Sequence, residues 1–239
     1  MGVNSFTAGE NTQAEGRNSV ATGYKTKATG TNAAAFGEGS EAAGAVSFTA
    51  GLNNKASGQQ STAIGTLSKA SAHSSFAAGS ETEASGDVST AMGMKTKASG
   101  AYSLATGNNT ESVGENSFSG GLRSEAIGDS SLAFGVDSKA KGRYAVALGE
   151  GSTASGKAAT ALGENSAAKG NNSFASMGGF AQGNNSLALG KGAFALGIAH
   201  YQNESKMINA GVSYGGHNKF MTNLGVTWKV GSGNKEEKA

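Results

Sequence analysis

Asn18-Ser19-Val20-Ala21-Thr22-Gly23-Tyr24-Lys25-Thr26-Lys27-Ala28-Thr29-Gly30 carries the pattern that decides the fold. Its two glycines stand seven residues apart, and each closes a short run in which every second residue is small. The stretch recurs along the chain. Gly9, Gly23, Gly37, Gly51, Gly65, Gly79, Gly93, Gly107, Gly121, Gly135, Gly149 and Gly163 follow at an unbroken step of 14. With Val3 as position 1 of the first repeat, these glycines all occupy position 7. Position 14 is Gly from Gly16 to Gly170 except at Ala72, and position 12 is Ala from Ala14 to Ala168 except at Ser112. Position 10 is Ser or Thr, with Asn54 as the exception.

A fixed period of this kind is the mark of a repeat architecture, whereas a disordered tract need not keep register. Side chains alternate between the two faces of a strand. Each repeat is therefore expected to hold two short strands, at positions 3–7 and 10–14. Positions 3, 5, 7, 10, 12 and 14 are all small, so they line a very narrow interior. The expected fold is all-β: a tight roll with two strands per turn, run about fourteen times. At roughly 4.8 Å per turn the rod is on the order of 65 Å long. Hydroxyls at position 10 are expected to satisfy backbone groups at the corners.

The two outer faces differ. Position 11 is mostly charged, as in Lys27, Glu41, Lys55, Lys69, Glu83, Lys97, Glu111, Glu125 and Lys139. Positions 4 and 6 are bulky and apolar: Phe6, Val20, Phe36, Phe48, Ile64, Phe76, Met92, Leu104, Phe118, Leu132, Phe134, Val146, Leu148 and Leu162. A stripe of that length exceeds the few hundred Å² that a monomer leaves exposed. Other copies of the same chain can cover it, so these residues are expected to form the core of a closed, parallel homo-oligomer.

Composition excludes several classes of function. Of 239 residues, 39 are Gly and none is Pro or Cys, against roughly 7% Gly and 5% Pro in ordinary domains. Disulfides and thiolate metal sites are therefore absent. The net charge of +2 comes with no Lys/Arg block, so no nucleic-acid partner is expected. His73, His200 and His217 have no metal-ligand spacing. With glycine at every seventh residue, a phosphate-loop match means nothing. No catalytic residue, metal or cofactor is expected, and the chain reads as a non-enzyme. A regular exposed threonine array, as an ice-binding solenoid would need, is missing from positions 11 and 13. Met1-Gly2-Val3 enters the repeat with no basic region and no apolar run, so no signal peptide is visible.

Candidate recognition residues are those that break an outward polar rule. Val113 and Ile127 do so at position 13 of adjacent repeats, Tyr102 and Tyr144 at position 2, and Leu122 at position 8, along with Tyr24, Leu52 and Met94. Packing between copies is the other reading for position 8, and it is equally open for Val113 and Ile127.

The unit Asn18–Gly23 followed by Thr26–Gly30 resembles the head repeat of YadA-like trimeric autotransporter adhesins, as do Asn116-Ser117-Phe118 and Asn185-Ser186-Leu187-Ala188-Leu189-Gly190. The resemblance covers about four-fifths of the chain and rests on phase as well as composition. It implies a left-handed parallel β-roll, a homotrimer, and display on the outer membrane of a Gram-negative bacterium, with a signal peptide that this sequence does not contain. It also implies adhesion to a host cell-surface glycoprotein, such as carcinoembryonic-antigen-related receptors, or to a matrix protein such as collagen or fibronectin. A structural spacer or autoagglutination module is the alternative.

The step of 14 slips after Gly170: Met177 falls at the glycine position and 171–183 is one residue short. Longer alternating strands are then expected at about 193–201, 207–214 and 219–230, joined by hairpin turns. Their apolar face carries Phe194, Leu196, Ile198, Ile208, Val212, Leu224, Val226 and Trp228. Asn209–Gly216 and Leu224–Trp228 resemble the end of the YadA-like translocator anchor, which implies that this face meets the membrane. That anchor has four strands per chain after a coiled-coil stalk, and only three are found here; a small sheet capping the solenoid is the other reading. The expected layout is a head over 1–192, an antiparallel anchor-like segment over 193–230 and a polar tail over 231–239.

Overall fold

The computed structural model describes residues 1–196 and the backbone of 212–215 and 219–221. Among the described residues the strands form two sheets, one of fourteen strands and one of sixteen, and there is no helix. The chain climbs as a parallel solenoid of about fourteen turns, each contributing one strand to each sheet. The register follows the sequence period: Phe6 pairs with Val20, Val20 with Ala34 and Ala34 with Phe48, while Lys27 pairs with Glu41 and Glu41 with Lys55.

The strands start one residue later than the sequence pattern predicts. The first strand of a turn covers positions 4–8, as in Val20–Tyr24, and the second only positions 11–12, as in Lys27–Ala28. Positions 3 and 10 are bent into the interior just before each strand begins. From Val146–Leu148 onward the first strand shortens to three residues.

The interior is as narrow as the small residues require. The alanines of positions 5 and 12, such as Ala21, Ala28, Ala63, Ala70, Ala91 and Ala98, are fully buried. The largest fully buried side chain is Asn54. It spans the corner, with Nδ2 donating to the Ala50 and Gly65 carbonyls at 2.9 and 2.7 Å and Oδ1 accepting from the Ser68 N–H at 2.9 Å. Ser40 and Ser68 also reach carbonyls of the next turn, at 3.1 Å each. The position-10 role thus holds for these side chains, while the hydroxyls of Thr26, Thr96 and Thr110 have no such partner. Two of the interior exceptions are coupled: Ser112 Oγ at position 12 lies 2.7 Å from Ser119 Oγ at position 5 and 2.7 Å from the Leu104 carbonyl.

Both corners turn through one left-handed residue, at positions 2 and 9. Asn occupies many of these sites, as at Asn18 and Asn32 (φ 55° and 56°) or Asn53 and Asn109 (φ 53° each). Asn tolerates this region because its short amide side chain bonds locally. Asn4, Asn18 and Asn32 also form a side-chain ladder at 3.2 and 3.0 Å.

The slip is a deletion at one corner. Thr160 pairs with Phe174 at the usual step, but Phe174 pairs with Leu187 and Ala167 with Phe180, each thirteen apart. Only Met177 and Gly178 remain where three residues normally turn. The step of 14 then resumes, since Phe180 pairs in parallel with Phe194 and Ala181 with Ala195. The parallel pairing of the roll therefore extends through Ala195. Phe194 is a position-11 residue of this last turn; its ring stacks on Phe180 at 5.4 Å and 6°. Val212–Gly215 then adds antiparallel to Ala193–Ala195, and Lys219–Met221 antiparallel to it, with Tyr214 opposite Phe220. Ile198, Ile208, Leu224, Val226 and Trp228 lie outside the described residues.

Candidate interaction surfaces

The first surface is the outer face of the first sheet. Positions 4, 6 and 8 share this face, and every predicted trimer-core residue lies on it. In a single chain none is fully buried: Phe6, Ile64, Met92 and Phe134 are exposed, and Val20, Phe36, Phe48, Phe76, Leu104, Phe118, Leu132, Val146, Leu148 and Leu162 are half-buried. The stripe has its own internal fit. Phe6, Phe48, Phe76 and Phe118 at position 4 each accompany Ala or Gly at position 6, and Phe36 at position 6 accompanies Ala34. The Phe134 ring lies over Gly120, where an added Cβ would come within 2.5 Å of it. It also meets Phe118 edge-on, with centroids 6.3 Å apart.

Leu122 belongs to this surface. It pairs with Val136 at the end of the first sheet, at the position-8 corner. That is the corner opposite Val113, Ile127, Tyr102 and Tyr144, so the structure separates Leu122 from the other recognition candidates.

The second surface is the outer face of the second sheet, whose position-11 column mostly alternates in charge. Lys55 and Glu41 pair at 3.0 Å, as do Lys139 and Glu125. At the position-9 corner Arg123 grips Asp137 with two hydrogen bonds of 2.7 and 2.6 Å. That hydrogen bonding holds the Asp137 carboxyl below its ordinary value of 3.8 and raises the Arg123 guanidinium. All three are turn-to-turn pairs on exposed or half-exposed side chains, where such bridges contribute little.

The third surface is the corner formed by positions 13, 14, 1 and 2. It brings together four of the candidates. Val113 N–H donates to the Ala126 carbonyl and Ile127 N–H to Ala140, stacking the two positions in successive turns. Tyr102 N–H donates to Asp87 and Tyr144 N–H to Asp129, placing both tyrosines on the same ladder. All four side chains are exposed. Sequence reasoning missed the left-handed backbone here, although the recurrence of Asn at positions 2 and 9 was a signal for it. It also missed Val88, which is exposed and left-handed one turn below Tyr102.

At the slip, the shortened corner leaves an open notch of about 480 Å³ lined by Gly163, Glu164, Asn165, Met177, Gly178 and Lys191. Among the described residues no group of three or more His, Cys, Asp or Glu side chains is placed to hold a metal ion. No helix of the described residues is long and apolar enough to cross a membrane.

The family model for the YadA head domain repeat (two copies) matches residues 2–26, 56–82, 84–110, 126–152, 154–176 and 179–198, more than half of the chain. No curated protein matches it. The family is associated with adhesion by trimeric autotransporters. With its 14-residue turns, alanine-lined interior and apolar outer sheet in register with that match, the chain belongs to the YadA head repeat family.

Proposed function

We propose that this chain is the head of a trimeric bacterial surface adhesin, and that the assembled trimer presents a rigid rod to host cell-surface glycoproteins or to matrix proteins such as collagen or fibronectin. The observation that carries the reading is the apolar stripe on the first sheet, which runs the length of the roll and is half-exposed in a single chain. Covering each such side chain contributes roughly 1.5–3 kcal/mol, and a parallel copy of equal length and equal pitch covers all of them at once. Phe6 through Leu162 form the trimer core in this reading, with Leu122 and Val136 at its margin. The corner with Tyr102, Val113, Ile127 and Tyr144 faces outward and supplies the receptor contacts.

Anchoring is assigned to the segment after Ala195. Antiparallel pairing of Val212–Gly215 and Lys219–Met221 supports an antiparallel sheet there, and Leu196, Ile198, Ile208, Val212, Leu224, Val226 and Trp228 supply its membrane face. Phe194 is left out of that face, because it stacks within the roll. Binding of purified trimer to immobilised collagen, fibronectin and carcinoembryonic-antigen-related receptors tests adhesion, and absence of binding to every host surface protein tried would sink it. Membrane fractionation of exported protein tests the anchor.

The Lys/Glu column of the second sheet favours one alternative, a homotypic autoagglutination module, because two parallel columns offset by one turn place opposite charges together at most steps. Agglutination lost at high salt with host binding absent would select it.

A further inference from the structure

We propose that the corner from Asp87 to Tyr144 is a docking site for a protein segment that alternates basic and aliphatic side chains; this rests on the adhesin reading above and names the chemistry of its partner. Three local rules break together at this one level of the solenoid. The first is apolar exposure. Tyr102, Tyr144, Val88, Val113 and Ile127 are 60, 47, 45, 40 and 40% exposed, on a corner where most other turns place polar or small residues; Val46, 51% exposed three turns below Val88, is the exception. They extend over four turns, about 19 Å. The second is backbone conformation: Val88, Tyr102 and Tyr144 hold φ of 56–60°. A β-branched or aromatic residue is disfavoured there, and its exposed side chain gains little packing in return. Tyr144 has one local partner, the Arg143 guanidinium 4.8 Å from its ring centroid; Val88 and Tyr102 have none of that kind, and rule-breaking without local compensation points to a functional site.

The third is charge. The position-11 column places one acid against another at only one step, Glu111 beside Glu125. Position 1 does the same with Glu115 and Asp129, where the Glu115 N–H donates to the Asp129 carboxylate at 3.2 Å. Like charges in register are destabilising in a sheet. Val113 and Ile127 thus stand between two carboxylate pairs, of which Lys139 neutralises only Glu125. An aliphatic strip flanked by carboxylates is complementary to aliphatic side chains flanked by guanidinium or ammonium groups. Exposed tyrosines at its two ends are the residue type that most often anchors such an interface. An extended segment laid along the axis would meet the ladder turn by turn.

The test uses the purified full chain and fluorescent peptides of about eight residues, long enough to span the four turns. One alternates Arg and Val, the second replaces Arg by Glu, and the third replaces Val by Ser. The first should bind, and the other two at least about tenfold more weakly. Val88→Asn, Tyr102→Asn and Tyr144→Asn should melt at or above the wild-type temperature, because Asn suits the left-handed corner, yet weaken the Arg-Val peptide about tenfold together. Glu111→Gln with Asp129→Asn should weaken it and reduce its salt dependence. Val46→Asn relieves the same backbone conformation (φ 58°) outside the patch and should leave binding unchanged. Equal binding of all three peptides, or undiminished binding by the corner variants, would overturn the proposal. So would loss of agglutination by these variants without peptide binding, which would give the corner to a second copy. If host proteins bind and the peptide does not, this site falls and adhesion stands; if the peptide binds the corner and no host protein does, adhesion falls and the site stands.

Discussion

Gly65 shows how little freedom a single residue has in this roll. Its φ of 115° is a conformation that L side chains rarely adopt, and an added Cβ would run into the Gly79 carbonyl oxygen of the next turn. That oxygen belongs to a ladder that repeats at every turn, so it cannot move alone. Gly65→Ala should therefore cost at least about 3 kcal/mol, read as a large drop in thermal midpoint or as loss of soluble protein. Surface exchanges on the same turn, such as Lys69→Gln, should leave the midpoint nearly unchanged. Position 7 was legible in the sequence because nothing but glycine occupies it from Gly9 to Gly163. The corner conformations were not, although Asn marks many of them, because Val46, Tyr102 and Leu67 occupy the same left-handed sites and hide the rule. Gly120 was hidden for a different reason: its need arises from Phe134 one turn later, and no periodic pattern records a contact between two irregular residues.

At the scale of the turn, Ser112 and Ser119 test whether interior exceptions act as a unit. In most turns both sites are Ala, and here two hydroxyls meet at 2.7 Å across the roll. Ser119→Ala removes one partner and leaves Ser112 with its bond to the Leu104 carbonyl. The double change to Ala restores the majority pattern. A double-mutant cycle in denaturant, at fixed protein concentration, should show coupling of about 1 kcal/mol, with the double variant close to wild type. Additive losses would mean that the hydroxyls do not cooperate. The Arg123–Asp137 pair links two turns at the far corner. Because Asp137 is held below its ordinary value, its contribution is present above 3.8 and is lost as pH falls through the lowered value. Arg123→Gln should thus melt slightly lower than wild type at neutral pH, with the gap closing in acid and in high salt. The sequence located the start of each strand to within one residue but ran the second strand two residues too far, since alternation marks faces more sharply than ends. It left Leu122 open between recognition and packing between copies, because a broken rule carries no direction; the strand ending at Leu122 puts it at the edge of the first sheet.

For the whole molecule, the period sets the interior and the interior sets the need for partners. Among the described residues the alanine- and serine-filled roll has no side chain larger than Asn fully buried, so that part of a single chain has little apolar core. Among the described residues most of the large apolar side chains lie outside, on the face of the first sheet. In the proposed trimer, assembly would give the rod its hydrophobic core, so it should be coupled to stability, with a melting temperature that rises with protein concentration. The slip at Met177 leaves the register intact on both sides, and so the stripe continues through Phe174 to Leu187 and Leu189. Beyond Leu196 the described backbone is limited to Val212–Gly215 and Lys219–Met221, which pair antiparallel. The most direct measurement is the mass of the purified chain in solution, by light scattering or sedimentation equilibrium. A trimer core predicts three times the 23.5 kDa chain mass, collapsing to unfolded or aggregated material when Phe118, Leu132 and Phe134 are changed together to Ser. A chain that stays folded and melts cooperatively at the mass of one copy would contradict the account.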